Sequence, residues 1–127
     1  MSTAPNQPTR VLTVDDSASM RALLNHALAS SGFEVHQADD GQAALEWLVV
    51  NDVDVVITDI NMPRLDGFGL IERLRAGSRH ADRPILVLTT ESAPEKKQRA
   101  REAGATGWIV KPFDPDKLVA AVRRVAH

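Results

Sequence analysis

The sequence of 127 residues lacks cysteine, any long apolar run and any strong net charge. Without cysteine the chain has no disulfide bonds and no thiolate metal ligands, and it suits a reducing compartment. No apolar segment approaches the roughly 20 residues that a membrane helix needs, and the N-terminus has no apolar signal segment. We therefore expect a cytoplasmic protein that makes no contact with a membrane.

The charge balance is the second absence that excludes a class of partner. Fifteen Lys and Arg residues against seventeen Asp and Glu residues give a net charge of −2, which provides no general attraction for nucleic acid. The apolar share of 43% and the charged share of 25% are typical of a globular domain. The length fits one domain. We expect residues 1–9, which are polar and contain two prolines, to form a disordered tail before a domain over residues 10–127.

From Arg10 onward, short β-rich runs alternate with amphipathic helical runs, which is the pattern of a parallel α/β sheet. The predicted strands cover residues 11–14, 33–38, 53–58, 84–88 and 108–110. The run over residues 53–58 is almost continuously apolar, so it is predicted to be a central strand covered on both faces. Five strands and five helices use the whole chain.

Helix boundaries are predicted from caps and apolar spacing. In the first helix, Leu23, Leu24 and Leu28 are among the residues predicted to share one apolar face. Asp40 is a candidate N-cap for the second helix. Ser92, followed by Pro94 and Glu95, is predicted to cap the fourth helix. Glycines end two of the helices, at Gly32 and Gly104.

The most informative feature is a set of polar residues at the ends of four predicted strands. The first strand ends in Asp15-Asp16, the third in Asp59, the fourth in Thr89 and the fifth in Lys111. In an open α/β sheet the ligand crevice lies beyond the carboxyl ends of the parallel strands. These side chains are therefore predicted to converge at one edge of the sheet.

The chemistry of this set suits a divalent metal ion next to a phosphoryl group. A divalent cation would neutralise the charge that three carboxylates and one ammonium leave, and oxygen ligands alone favour Mg²⁺ or Mn²⁺. Asp59 is the candidate nucleophile, because a carboxylate can attack phosphorus to form an aspartyl phosphate. The hydroxyl donor is Thr89 or Thr90, which periodicity does not separate. An alternative for Asp15-Asp16-Ser17 is a turn and N-cap without chemistry.

Four segments in order, VDDSASMR, TDINMPRLDG, LTTES and GATGWIVKPF, resemble the motifs of response-regulator receiver domains. The run over residues 10–127 is similar to the stand-alone chemotaxis type, the CheY-like proteins. The resemblance implies a doubly wound, flavodoxin-like sheet of five parallel strands in the order 2-1-3-4-5, with five helices.

The resemblance also implies a role for each site residue. Asp59 would accept the phosphoryl group, and Lys111 would pair with its oxygens. Mg²⁺ would be held by Asp15, Asp16, Asp59 and the backbone carbonyl of Asn61.

Further roles concern the switch and its timing. The switch hydroxyl corresponds to Thr89 rather than Thr90. Trp108 stands where the family usually has a smaller mobile aromatic residue, so we expect a smaller or partial swing of this side chain. Asn61 and Glu91 occupy the positions that tune hydrolysis of the acyl phosphate. The bond before Pro112 is expected to be cis.

The function implied is that of a single-domain response regulator in a two-component phosphorelay. It would receive its phosphoryl group from a sensor histidine kinase of the chemotaxis type and bind a flagellar motor switch protein or another motility target. The face formed by the fourth helix, fifth strand and fifth helix would make this contact, and a run of basic residues lies on that fourth helix: Lys96, Lys97, Arg99 and Arg101. We expect a monomer that a phosphatase could also act on.

Two other functions remain open on the sequence. The protein could be a phosphate sink that drains the kinase and has no target of its own. It could also be a phosphatase of the haloacid-dehalogenase type, but those enzymes need a second carboxylate two residues after the nucleophile, where this chain has Asn61. We therefore expect no enzyme activity beyond the protein's own phosphoryl transfer and autodephosphorylation.

Overall fold

The computed structural model describes residues 7–77 and 79–126. Strands and helices alternate along the chain, as predicted. The elements are β1 (Arg10–Val14), α1 (Ala18–Ala29), β2 (Glu34–Ala38), α2 (Gly41–Leu48), β3 (Val55–Thr58), α3 (Gly67–Arg75), β4 (Ile85–Thr89), α4 (Pro94–Ala103), β5 (Gly107–Val110) and α5 (Pro115–Val125). Of the predicted tail, residues 1–6 lie outside the described residues, and residues 7–9 precede β1 without regular structure.

The strands form one sheet in the order β2-β1-β3-β4-β5, and all neighbouring strands are parallel. The predicted strand order is therefore confirmed. The chain moves from β1 outward to β2 and then returns to the other side of β1 to form β3. This reversal is the topological switch point at which open α/β sheets bind ligands.

Two apolar layers sandwich the sheet. Helices α1 and α5 pack on one face against residues such as Val11, Val55 and Ile57, and α2, α3 and α4 pack on the other against Leu12 and Val56. Because the central strands face an apolar layer on both sides, β3 and β4 are buried along their whole length.

One prediction about the α1 face is wrong. Leu24 and Leu28 are buried, but Leu23 is 58% exposed. Successive residues of a helix point about 100° apart, so the residue before Leu24 turns away from a narrow stripe. Part of the predicted apolar face of α1 is therefore solvent-exposed.

Side-chain caps and glycines fix most helix ends. Asp40 accepts a hydrogen bond from the N–H of Ala43 at 2.8 Å, which confirms it as the N-cap of α2. Gly32 and Gly104 adopt φ values of 93° and 116°, the left-handed region that glycine enters without steric cost.

The predicted cap of α4 is wrong. The N-cap residue is Ala93, which makes no side-chain capping bond, and Ser92 lies one position too early. Pro94 explains the shift. Proline is suited to the first helical position, where its fixed φ fits and its missing N–H is no loss. The residue directly before Pro94 therefore becomes the N-cap. Among residues 7–77 and 79–126, none of the helices combines the length and the hydropathy that a membrane-spanning segment requires.

Candidate functional site

The site begins where β1 and β3 end, at the switch point of the sheet. The N–H of Asp59 donates to the carbonyl of Val14 at 2.9 Å, and the N–H of Asp15 donates to the carbonyl of Ala38 at 3.1 Å. These bonds continue the parallel ladder one residue beyond the strands. The backbones of both aspartates are therefore fixed by the sheet itself.

Lys111 joins the two aspartates. Its N–H donates to the carbonyl of Thr89 at 2.8 Å, which anchors the residue just after β5. Its ammonium Nζ lies 2.8 Å from Oδ2 of Asp15 and 2.8 Å from Oδ2 of Asp59. The lysine, Asp15 and Asp59 side chains are only 10%, 3% and 12% exposed. Strands that are far apart in sequence thus bring the predicted amine and carboxylates into direct contact.

The electrostatic balance at Lys111 favours its charged form. Burial is the largest single effect and would lower the pKa of the ammonium, but the hydrogen bonds to Asp15 and Asp59 and the negative charges of these carboxylates together raise the pKa above its usual value of 10.5. The lysine therefore stays cationic at neutral pH and screens the two carboxylates from each other.

Each of these carboxylates also has an oxygen held by the backbone. Oδ1 of Asp15 accepts from the N–H of Ser17 at 2.9 Å, and Oδ1 of Asp59 accepts from the N–H of Ile60 at 2.6 Å. Ser17 is in turn the N-cap of α1. The turn-and-cap interpretation of Asp15-Asp16-Ser17 therefore describes part of the structure, but it leaves Oδ2 of Asp15 directed at Lys111.

Asp16 completes an acidic cluster with Asp15 and Asp59. One oxygen from each of the three carboxylates lies within 4.8 Å of the others, and Asp16 is exposed. The cluster thus offers oxygen ligands from one buried, one largely buried and one exposed carboxylate. This donor set fits a hard divalent cation that keeps part of its water shell, as Mg²⁺ does.

A glycine that the sequence pattern does not mark as functional permits this geometry. A Cβ atom on Gly67, the first residue of α3, would collide with the carbonyl oxygen of Asp59 and lie 2.8 Å from the Cα of Ile60. The N–H of Gly67 donates to the carbonyl of Ile60 at 2.8 Å. Helix α3 therefore begins directly against the backbone of Asp59, which only a residue without a side chain allows.

The structure separates the two threonines at the end of β4. Thr89 is fully buried and Thr90 is exposed. The hydroxyl of Thr89 accepts from the N–H of Glu91 at 3.3 Å. Thr89 is thus the residue that links the sheet to the following loop.

Glu91 connects several of the predicted residues. Its carboxylate accepts from the side-chain amide of Asn61 at 3.4 Å and lies 3.7 Å from the ammonium of Lys96. Its backbone carbonyl accepts from the indole N–H of Trp108 at 3.2 Å. The pairing of Asn61 with Glu91 brings the two predicted tuning residues together. The contact with Lys96 has no signal in the sequence, where this lysine is only one member of a basic run.

Trp108 lies at the boundary between the core and a surface groove. It is half-buried and packs against the core layer on the α2, α3 and α4 side. The groove between α4 and β5 is lined by Trp108 together with Lys97 and Arg101. The basic residues of α4 therefore flank the aromatic ring. The Lys111–Pro112 peptide bond is cis, as expected.

The sequence pattern of the response regulator receiver domain family matches residues 11–123. The chain belongs to this family. The receiver is a signalling domain rather than a conventional catalyst, and its acidic cluster lies at the sheet edge just described.

Similar proteins include chemotaxis proteins and a longer, probable transcriptional regulator. Chemotaxis protein CheY1 of Helicobacter pylori is 40% identical over 111 residues, which are 86% of this chain and 90% of that protein. Chemotaxis protein CheY-3 of Vibrio cholerae is 39% identical over 109 residues, 85% of this chain and 84% of that protein. The probable transcriptional regulator ycf27 of Porphyridium aerugineum is 38% identical over 94% of this chain, but the match spans only 48% of its own length.

Solved structures carry the same fold. The chemotaxis protein CheY4 of Vibrio cholerae, crystallised at low pH, superposes with a TM-score of 0.89 at 45% identity, covering 94% of this chain and 99% of that one. A putative response regulator from Chloroflexus aurantiacus also reaches 0.89, at 34% identity, covering 94% and 98%. The receiver is thus CheY-like in its fold and has chemotaxis proteins among its relatives.

Proposed function

We propose that this receiver accepts a phosphoryl group on Asp59 from a phosphohistidine of a sensor histidine kinase, and that the modification changes its affinity for a target protein. The observation that best supports the proposal is the contact of Lys111 with both Asp15 and Asp59 at 2.8 Å, inside a cluster that includes Asp16. A largely buried carboxylate beside a fixed ammonium suits a transfer in which negative charge gathers around phosphorus.

In the transfer, a carboxylate oxygen of Asp59 attacks phosphorus while the N–P bond of the phosphohistidine breaks. The electron pair of the broken bond stays on the ring nitrogen, and the second ring nitrogen carries a proton, so the products are an aspartyl phosphate and a neutral imidazole. Lys111 then pairs with the phosphoryl oxygens, and the hydroxyl of Thr89 donates to one of them. Asp15, Asp16, Asp59 and the backbone carbonyl of Asn61 would hold Mg²⁺, which when bound offsets the charge of the transferred group.

The switch proposed here involves the residues joined through Glu91. When the Thr89 hydroxyl turns to a phosphoryl oxygen, the loop after β4 loses its bond from the Glu91 N–H to that hydroxyl. The Trp108 indole donates to the carbonyl of the same Glu91, so its position is tied to the loop. We propose that Trp108 makes a partial swing, because the bulky indole starts half-buried and hydrogen-bonded.

The target would bind the face made by α4, β5 and α5. Lys97 and Arg101 line the groove beside Trp108, so an acidic peptide or helix of a motility protein such as a flagellar motor switch protein is the partner whose charge fits best. The CheY names of several relatives support a chemotaxis role. If no target exists, the same chemistry would act as a phosphate sink for the kinase.

Incubation with a small phosphodonor and Mg²⁺ tests the chemistry. Intact-mass measurement should show one added phosphoryl group in the wild type and none in Asp59→Asn. The matched control is Asp82→Asn, since that side chain is 82% exposed and is paired with Arg83 instead of the acidic cluster. Equal labelling of the Asp59→Asn variant, or rapid multiple-turnover release of phosphate, would contradict the proposal.

Fluorescence tests the switch separately. The chain has two tryptophans, so Trp47→Phe leaves Trp108 as the only indole. Beryllofluoride, a phosphoryl mimic, should change the emission of this variant. An unchanged spectrum would remove Trp108 from the switch but leave phosphorylation of Asp59 intact.

A binding experiment separates a target from a sink. Beryllofluoride-treated protein should retain a motility protein that untreated protein does not, and a Lys97→Glu, Arg101→Glu variant should lose it. Retention of the kinase alone would favour the sink.

A further inference from the structure

The loop between β3 and α3 contains a backbone conformation that its residue does not favour. Arg64 has a φ of 66°. Among the residues that the structure describes, it is the only one other than glycine with a positive φ. A side chain in this region crowds the following carbonyl, so arginine enters it only where the surroundings hold it there. The contacts of Arg64 are therefore informative about the loop.

Arg64 is held by a two-pronged ion pair with the start of α2. Its Nε lies 2.7 Å from Oδ2 of Asp40 and its Nη2 lies 3.0 Å from Oδ1. Asp40 is only 6% exposed, and its Oδ1 also caps α2 through the N–H of Ala43. The hydrogen bond from Arg64 is the main reason that the pKa of Asp40 lies below its usual value. Such fork geometry fixes orientation as well as distance.

A second contact joins the same two segments one residue further along each. The N–H of Gly41 donates to the carbonyl of Leu65 at 3.2 Å. A Cβ atom at Gly41 would lie 2.5 Å from that oxygen, so the approach of α2 to the loop requires glycine. The loop is thus attached to α2 by both a side-chain pair and a backbone pair.

The attached loop carries part of the site. It starts at Asp59, contains Asn61 and ends at Asp66, the N-cap of α3. Its two ends are fixed, by the bond from Asp59 N–H to Val14 and by the bond from Gly67 N–H to Ile60. The contacts at Arg64 and Leu65 fix the segment between those ends, which has no strand or helix of its own to position it.

We propose that Asp40 and Arg64 are a pair of positioning residues that hold the loop so that the Asn61 carbonyl faces the metal site and its side-chain amide faces Glu91. This inference rests on the proposed function, because it assigns the pair to Mg²⁺ affinity and to the lifetime of the acyl phosphate. Neither residue touches the acidic cluster. Both act through the loop backbone.

Two single variants and their combination test the pair. Asp40→Asn keeps a capping oxygen but loses the charged fork. Arg64→Gly loses the fork and removes the unfavourable φ. Each should weaken Mg²⁺ binding of the unphosphorylated protein roughly tenfold, the usual effect of losing a residue that orients a ligand. The double variant should be no worse than either single one, since both remove the same contact.

A measurement without metal gives a readout that does not depend on the loaded site. Amide hydrogen exchange over residues 61–66 should be at least several-fold faster in Asp40→Asn than in the wild type, while β1 and β3 stay protected. The loop sequence is unchanged in that variant, so faster exchange reports the lost fork. The control for Arg64→Gly is Arg79→Gly, which should leave exchange over residues 61–66 unchanged, because Arg79 is an exposed loop arginine that donates to the carbonyl of Asn51.

The outcomes separate the inference from the proposed function. A wild type that neither binds Mg²⁺ nor is phosphorylated overturns both. Normal binding in the wild type, with unchanged Mg²⁺ affinity and loop exchange in Asp40→Asn and Arg64→Gly, overturns the positioning pair alone. Additive losses in the double variant would also overturn it, because the two residues would then act independently.

Discussion

Replacing Lys111 with methionine should make the acidic cluster depend on a divalent cation. The ammonium lies 2.8 Å from one oxygen of Asp15 and of Asp59, and the three side chains are largely buried, with exposures of 10%, 3% and 12%. Methionine keeps the approximate length of the side chain and removes the charge. Asp15 and Asp59 then lose both their cation and the hydrogen bonds to it.

The magnitude follows from burial. Removing one partner of a buried ion pair costs about 3 to 5 kcal/mol, because the remaining charge is left without compensation. The exposed Asp16 shows that water reaches the edge of the cluster, so we expect the lower end, about 3 kcal/mol, in metal-free buffer. A divalent cation would bind the variant more tightly, because the repulsion between the cation and the Lys111 ammonium is removed. Two unit charges about 4 Å apart interact by roughly 1 kcal/mol in bulk water and roughly 4 kcal/mol near a protein surface.

Urea unfolding with EDTA and with saturating MgCl₂ measures both effects. The gain in unfolding free energy on adding Mg²⁺ should be larger in Lys111→Met than in the wild type by at least about 1.4 kcal/mol, which corresponds to tenfold tighter binding. Lys117→Met is the matched control, because Lys117 lies on the exposed side of α5. A loss below about 1 kcal/mol in EDTA, together with an equal Mg²⁺ effect in both proteins, would refute the reasoning from charge compensation.

Three further predictions concern stability. The guanidinium of Arg75 donates to the carbonyls of Gly104, Ala81 and Arg83. Arg75→Met should therefore lower the free energy of unfolding by about 3 kcal/mol in urea unfolding, and Arg75→Lys by less, because lysine keeps a charged donor. Equal losses in the two variants would contradict a role for these hydrogen bonds. Burial lowers the pKa of His80 despite the nearby Asp52, so the unfolded chain binds more protons between that lowered pKa and pH about 6.5. Stability should fall on acidification through this interval by up to about 1.4 kcal/mol per pH unit. His80→Gln should flatten this slope, whereas His26→Gln, at an exposed position of α1, should not. Because the pKa of Lys111 is raised, the stability that its charged form contributes is complete below pH 10.5 and is lost as pH rises through the higher folded pKa. The corresponding fall in unfolding free energy at alkaline pH should be absent in Lys111→Met.

The fold could be predicted because its signals are local and repeated. The continuous apolar run of β3 indicated a central strand, and the structure buries it on both faces. The convergence of Asp15, Asp16, Asp59 and Lys111 followed from a general property of parallel sheets, namely that the carboxyl ends of the strands meet. The strand order came from the resemblance, since the alternation of elements does not determine it.

Other features could not be predicted because they depend on atoms far apart in the chain. Leu23 fits the apolar spacing of α1, yet its side chain is mostly exposed, because the buried part of the helix is narrower than the spacing indicates. The roles of Gly41 and Gly67 arise from backbones that approach them from other segments. The resemblance predicts that Glu91 tunes hydrolysis, whereas its contacts with Lys96 and with the Trp108 indole depend on the folded loop and have no signal in the sequence.

Under the proposed function, the network around Lys111 provides a route by which Trp108 would respond to phosphorylation despite the bulk of its indole. In the unmodified protein the Lys111 ammonium donates hydrogen bonds to both Asp15 and Asp59, while the backbone N–H of Lys111 donates to the Thr89 carbonyl. Under the proposed function, an acyl phosphate on Asp59 removes one of these acceptors and offers phosphoryl oxygens instead. The ammonium and the Thr89 hydroxyl would then be drawn to the same group, and the loop at Glu91 would move with them. Because the indole is bonded to the Glu91 carbonyl, Trp108 would follow the loop through that bond, so a small displacement at the sheet edge would reach the α4–β5 groove without full rotation of the ring.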